Sequence, residues 1–261
     1  AVSKVLEGNI SFRNVDLEYP VTGIKALRNF NLEIKKGEKV AIIGRTGSGK
    51  STIAQLLLRM YDTVHGTIEF DGKDIKQIKL QTLREQISYV PQDVFLFSDS
   101  VRNNILFGLK EKEETKAQRM LRIEQAAKQA GIHNEINLFA GQYETMVGER
   151  GVTLSGGQKQ RISIARALIK NPELVIFDDC LSAVDARTEK DIIGRLYNYL
   201  ENKTAIIITH RIFTHFQFDK IVFLEDGQII ETGTHEQLMK LNGEYAGLYN
   251  KQQQTEVNED D

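Results

Sequence analysis

Gly44-Arg45-Thr46-Gly47-Ser48-Gly49-Lys50-Ser51-Thr52 follows the apolar run Val40-Ala41-Ile42-Ile43 and precedes a helical stretch from Ile53 to Met60. A strand, a glycine-rich turn and a helix in that order make a device for holding phosphate. The glycines let backbone N–H groups close around phosphate oxygens, and the helix N-terminus adds positive potential. Lys50 is placed to reach the β- and γ-phosphates of a nucleotide, and Ser51 offers a hydroxyl to Mg²⁺. A glycine-rich turn without a ligand is the competing reading; it is disfavoured because the spacing and the flanking elements both match.

Outward from this loop, Leu174-Val175-Ile176-Phe177, Ala205-Ile206-Ile207-Ile208 and Ile221-Val222-Phe223-Leu224 are further short apolar runs, which suit strands buried on both faces. Strands alternating with helices predict an α/β fold with a mainly parallel sheet, a P-loop NTPase (RecA-like) core. The first 35 or so residues alternate instead, as in Ile10-Ser11-Phe12-Arg13, and predict an antiparallel β lobe beside the nucleotide. Glu225-Asp226-Gly227 before Gln228-Ile229-Ile230-Glu231 reads as a hairpin closing the sheet. Between 93 and 170 the pattern turns helical: Ala117, Met120, Leu121, Ala127 and Ala130 fall at three-to-four spacing, with Gly131 as a stop. The expected organisation is one domain over 1–261. A core with its β lobe fills 1–92 and 171–235, a helical subdomain 93–170, a C-terminal helix 236–250 and a mobile, glutamine-rich then acidic tail 251–261.

Composition narrows the setting. The chain has 261 residues, 41% of them hydrophobic and 27% charged, which is ordinary for a folded soluble domain. A formal net charge of −2 lacks the basic excess of a general phosphate-backbone binder, so nucleic acid is not an expected partner. The single cysteine, Cys180, forms no internal disulfide, and the chain opens on no secretory signal pattern, so a reducing cytoplasmic setting is expected. No uninterrupted apolar run exceeds four residues, whereas a membrane span needs about 20. The fragment is therefore expected to be soluble, serving any membrane from outside the bilayer.

Asp178 ends the apolar run 174–177 and stands where a carboxylate would hold the magnesium shell opposite Ser51. Acids at strand ends are common in loops, and it is the pairing with the phosphate loop that gives this one meaning. Asp179, next along, occupies the position of a carboxylate that polarises attacking water. Leu154-Ser155-Gly156-Gly157-Gln158 then leads through Lys159-Gln160-Arg161 into a helical run to about Lys170. Two glycines and a serine at a helix start form a second anion site, with Ser155 as cap or hydroxyl donor. The alternative is a glycine N-cap before an ordinary amphipathic helix. This segment resembles the signature sequence of ABC ATPases, and from there the resemblance covers about Ile10 to Tyr249.

That resemblance implies an ATP- and Mg²⁺-dependent ATPase of the exporter type, working at the cytoplasmic face of a membrane. Tyr19, 25 residues ahead of Gly44, looks like the family's aromatic platform for adenine, its other reading being a half-buried strand tyrosine. Gln92 in Val90-Pro91-Gln92-Asp93 is similar to the glutamine that touches magnesium and water; His210 resembles the switch histidine at the γ-phosphate. Ser182-Ala183-Val184-Asp185 matches the dimer-contact loop, with Asp185 also a sensible helix N-cap. Phe95-Leu96-Phe97 and Val147-Gly148-Glu149-Arg150-Gly151 resemble segments that exporters place against their membrane partner, and the whole is similar to bacterial multidrug and lipid exporters. The resemblance implies two partners: a second such domain, and a transmembrane domain N-terminal on the same polypeptide with six apolar spans upstream of Ala1.

Asp179 departs from the family, whose active members mostly carry glutamate there. Aspartate is one methylene shorter, so its carboxylate sits roughly 1–1.5 Å further from the water, and a misplacement near ~1 Å costs about 100-fold in rate. The stretch from Phe177 to Asp185 resembles the weakened-site subunit of heterodimeric exporters. The expectation is a heterodimer rather than a homodimer, with slow hydrolysis here and the intact signature serving the partner's faster site. Two other readings stand beside it: a nucleotide-dependent dimerisation module with little catalysis, and a soluble ABC ATPase of DNA repair, chromosome structure or translation. The latter lacks its long coiled coil or tandem domain here.

Overall fold

The computed structural model describes residues 6–109, 114–148, 152–180 and 186–259. Its strands are β1 (Ile10–Glu18), β2 (Lys25–Ile34), β3 (Lys39–Ile43), β4 (His65–Phe70), β5 (Lys73–Asp74), β6 (Ile87–Val90), β7 (Leu174–Asp178), β8 (Thr204–Thr209), β9 (Lys220–Glu225) and β10 (Gln228–Gly233). The apolar runs all become strands of one six-stranded sheet in the order β10-β9-β3-β8-β7-β6. Its pairs are parallel from β9 through β6, and β10 returns antiparallel to β9 as the expected hairpin.

Alternation of side chains across a strand explains why those runs contain no polar break. Val40, Ile42, Leu174, Ile176, Ile206, Ile208, Val222 and Leu224 point to one face, covered by α1 (Lys50–Leu57) and the second sheet. On the other face Val175, Phe177, Ala205 and Ile207 meet the helical segment, while Ala41, Ile43, Ile221 and Phe223 meet the C-terminal helices. Each fully buried aliphatic contributes about 1.5–3 kcal/mol, so one charge inside such a run would undo much of a strand's packing.

The second sheet, β2-β1-β4-β5, is the antiparallel β lobe. It is not confined to the first 35 or so residues, because β4 and β5 come from beyond α1. Ile68 and Phe70 of β4 lie beside Phe12 and Ile10 of β1 and are buried with them.

The segment between the β6 and β7 strands is helical: after α2 (Leu80–Gln86) come α3 (Val101–Leu106), α4 (Lys116–Gln129), α5 (His133–Leu138) and α6 (Gly156–Leu168). The buried face of α4 runs through Ile123, Ala126 and Ala127 and on to Ala130, while Leu121 is exposed. Of the positions expected to share that face, Met120, Ala127 and Ala130 lie in or against the core, while Ala117 and Leu121 are exposed.

After α7 (Ala186–Tyr199) and the last strands, the chain ends in two helices rather than one: α8 (His235–Leu241) and α9 (Glu244–Glu259). Asn242, left-handed at φ 53°, stops α8, and the Glu231 carboxylate accepts from Glu244 N (2.6 Å) and Tyr245 N (3.1 Å) to start α9. Helix α9 also continues to Glu259, into the stretch expected to be a mobile tail. Leu248 and Tyr249 pack on the core, and the Gln252 amide accepts from Ile212 N and donates to Ile212 O. Among the described residues no helix is long and apolar enough to cross a membrane.

Candidate nucleotide site

The phosphate loop leaves β3 at Ile43 and enters α1 at Lys50, and two of its glycines are sterically required. A Cβ on Gly44 would lie 2.1 Å from Leu224 O; one on Gly49, which is left-handed at φ 99°, would lie 2.3 Å from Ala26 O. The neighbouring strands thus press directly on the loop. Lys50 Nζ donates to Gly44 O (2.8 Å) and Arg45 O (2.7 Å), holding the ammonium across the loop. Burial lowers the lysine's pKa, against the opposing pull of Asp179 and Asp178. The Ser48 hydroxyl is buried in the loop without a hydrogen-bond partner. Arg45, Thr46 and Gly47 form an exposed rim, with the Arg45 guanidinium 3.7 Å from Glu244. A helix start, a cation and an unpartnered buried hydroxyl together fit a polyanion.

Asp178, at the end of β7, is only 3% exposed. Its Oδ1 accepts from Ser51 Oγ at 3.0 Å and its Oδ2 from Tyr89 OH at 2.9 Å. Burial raises the Asp178 pKa, while the Tyr89 and Ser51 hydrogen bonds and the Lys50 charge act to keep it ionised. The same burial and the adjacent carboxylate push the Tyr89 phenol up, so it stays a donor. A hydroxyl and a carboxylate are hard oxygen donors of the sort Mg²⁺ takes together with substrate phosphates. Among the described residues no cluster of three or more His, Cys, Asp or Glu competes as a metal site.

Asp179 sits with φ 45°, its N–H bonded to Ile208 O at 2.8 Å and its Oδ2 2.9 Å from His210 Nδ1. The histidine side chain is 49% exposed and the aspartate 16%. Gln92 is exposed just beyond the end of β6. Cys180 is buried, and burial raises its thiol pKa, so it is a packing residue and not a reactive thiolate.

Tyr19 emerges at the end of β1 with its ring edge-on to Tyr61, centroids 5.1 Å apart. Its hydroxyl is tied to α1, 2.8 Å from Thr52 Oγ1 and 2.7 Å from Gln55 Oε1. The structure therefore gathers Tyr19, the loop 44–52, Asp178, Asp179 and His210 at one end of the sheet.

Ser155, Gly156, Gly157 and Gln158 lie elsewhere, at the start of α6, which packs on α3, α4 and β6. Ser155 caps α6 by accepting from Gln158 N at 3.2 Å, and Gln158 Oε1 accepts from Ser155 N at 3.0 Å, a complete capping box. Gln158 Nε2 donates to Glu135 Oε2 (3.0 Å), and Arg161 pairs with the same Glu135. Glu149, Arg150 and Gly151 and the loop Ser182-Ala183-Val184-Asp185 lie outside the described residues.

Four contributors were not marked by sequence: Tyr89, Gln55, Tyr61 and Glu135. Gln55 alone had a local signal, one helical turn beyond Thr52. Tyr89 and Glu135 meet their partners 89 and 26 or fewer residues away, through sheet register and helix packing.

Fold and site together define a phosphate-loop nucleotide-binding domain. A family model described as ABC transporter matches residues 27–182, and the chain belongs to that family. It is 44% identical over 245 residues to an ATP-dependent lipid A-core flippase of Salmonella typhimurium, covering 94% of this chain and 41% of that protein. It is also 42% identical over 246 residues to ATP-binding cassette sub-family B member 6 of Xenopus tropicalis, covering 94% of this chain and 28% of the other. The structure of a bacterial Atm1-family ABC exporter with ATP bound superposes with a TM-score of 0.87 at 38% identity, over 97% of this chain and 43% of that one. The chain thus spans less than half the length of the proteins it matches.

Proposed function

We propose that this chain is the ATP-binding and ATP-hydrolysing domain of an ABC exporter, acting at the cytoplasmic face of a membrane as one half of an ATP sandwich. One observation carries the reading. The two anion-receptive helix starts, at α1 and α6, are both formed, yet among the described residues no hydrogen bond or ion pair joins 44–52 to 155–158. Each would then grip one nucleotide jointly with the other kind of site on a second domain. The lipid A-core flippase and the ATP-bound exporter support this setting, as does the short share of each that the chain covers, which leaves room for a transmembrane domain, placed N-terminally.

In this reading the loop amides and Lys50 hold the phosphates of ATP, Tyr19 stacks on adenine, and Ser51, Asp178 and Gln92 form the magnesium shell. Magnesium, when bound, neutralises charge on the phosphoryl oxygens. Asp179 orients water, and His210 holds the aspartate and meets the γ-phosphate. Ser155, Gly156, Gly157 and Gln158 meet the nucleotide of the partner domain. In this reading the core over 1–92 and 171–235 holds the nucleotide, and the helical subdomain over 93–170 carries the signature segment to the partner domain.

Asp179 is one methylene shorter than glutamate and its carboxylate is engaged by His210 at 2.9 Å, which together favour slow hydrolysis at this site. The proposed partner carries glutamate at the matching position, making the assembly a heterodimer. The same observation keeps a second reading in play, a dimerisation module that binds ATP and scarcely turns it over. Steady-state ATPase rates of the full assembly with Asp179→Glu separate them. A gain of about 100-fold at this site is expected; turnover unchanged by the longer carboxylate sinks the geometric account.

A further inference from the structure

Tyr89 lies on β6, one strand outward from Asp178. In the parallel register Tyr89 stands opposite Ile176. Ile176 shares a sheet face with Asp178, two residues on, so the tyrosine ring runs along that face toward the end of the sheet where the carboxylate sits. There it packs against the cluster that contains Ile53 and Ala54 of α1. Its hydroxyl reaches Asp178 Oδ2 at 2.9 Å while Ser51 Oγ takes Oδ1 at 3.0 Å. Two donors on opposite oxygens fix both the plane and the rotation of one carboxylate.

Burial makes that second donor matter. Asp178 is 3% exposed, so water cannot readily replace a lost partner, and a buried charge left with an unmet acceptor is costly. Losing a group that holds a metal-shell ligand from behind typically costs about 10–100-fold in metal affinity. The strand that carries Tyr89 also delivers Gln92 three residues on, so one segment sets two members of the proposed shell.

We infer that Tyr89 is a positioning residue for the magnesium shell, its hydroxyl pinning Asp178 Oδ2 so that Oδ1 and the Ser51 hydroxyl are held in fixed relation. The inference rests on the reading of Asp178 as a magnesium-shell carboxylate. Tyr89→Phe and Asp178→Asn in the 261-residue chain test the two separately, by titrating a fluorescent ATP analogue in EDTA and across a Mg²⁺ series, with Mn²⁺ binding followed by electron paramagnetic resonance. The Phe variant keeps the ring in the core. It is expected to bind the analogue in EDTA within about twofold of the unmodified chain, while its Mg²⁺ and Mn²⁺ requirement rises about tenfold. A role in packing alone would shift the EDTA and metal arms together. Metal dependence that survives Asp178→Asn brings down the reading of Asp178. Metal dependence lost in the Asn variant but unchanged in the Phe variant, or equal shifts in both arms of the Phe variant, overturns the role of Tyr89.

Discussion

The start of α1 is capped by a glycine and faces a buried carboxylate, whereas the start of α6 is capped by its own serine and faces solvent. At α1 the amides leave their donors open while Lys50, Ser51 and Asp178 converge beside them. At α6 Arg161 is spent on Glu135, Gly157 O and Gly131 O, while Lys159 is exposed. One helix start thus has a lysine, a hydroxyl and a buried carboxylate converging beside it, and the other is a serine-capped surface facing solvent. In the proposed sandwich the second start would meet the nucleotide of the partner domain instead of one held by its own chain.

Removing the cation should break the comparison most sharply. Lys50→Ala leaves the loop amides in place but takes away the half-buried charge, and MgATP affinity by calorimetry is expected to fall on the order of 100-fold or more. A loss under tenfold would mean that the α1 pocket binds mainly through its amides, like α6.

The carboxylate gives a smaller effect of opposite sign on stability. Burial raises the Asp178 pKa, and a carboxyl raised in the folded state adds stability only below its ordinary value, losing it as pH rises through the raised one. At neutral pH the ionised group is therefore a burden on the chain without ligand. Asp178→Asn is expected to raise denaturant stability at pH 7 by up to about 2 kcal/mol while abolishing the magnesium response. The gain should shrink as pH falls toward the ordinary carboxylate range. A variant no more stable at neutral pH would show that the Ser51 and Tyr89 hydrogen bonds already offset the desolvation.

These features differ in how far the sequence disclosed them. The phosphate loop, Asp178 and the signature segment were legible because each is a local arrangement in which spacing is the mechanism. The sheet was legible for a similar reason: runs such as Ala205-Ile206-Ile207-Ile208 have no polar face to offer solvent. Strand β4 was not, since His65-Gly66-Thr67 gives its first half no alternation and its place beside β1 is set by Ile68 and Phe70. The C-terminal helix hid its break at Asn242 and its continuation past Lys251, because Glu231 and Ile212, which settle both, are distant in sequence. Tyr89 and Glu135 escaped notice for the same reason.

The smallest expected effect probes the other half of the comparison. Ser155→Ala removes the hydroxyl that accepts from Gln158 N, and losing such a cap costs about 1 kcal/mol, toward the low end here because Ser155 is exposed. Ser155→Asp keeps a capping oxygen and adds a charge favourable to the helix start, so its denaturant stability should match that of the unmodified chain. Facing a nucleotide, however, that carboxylate repels phosphate. Both variants are expected to bind MgATP at the α1 pocket as the unmodified chain does, and the Asp variant to lose ATP-driven association with a second domain, measured by size exclusion with light scattering. Should either variant weaken the chain's own nucleotide binding as Lys50→Ala does, α6 would be acting within its own chain, and the division between a pocket that holds and a surface that is presented would fail.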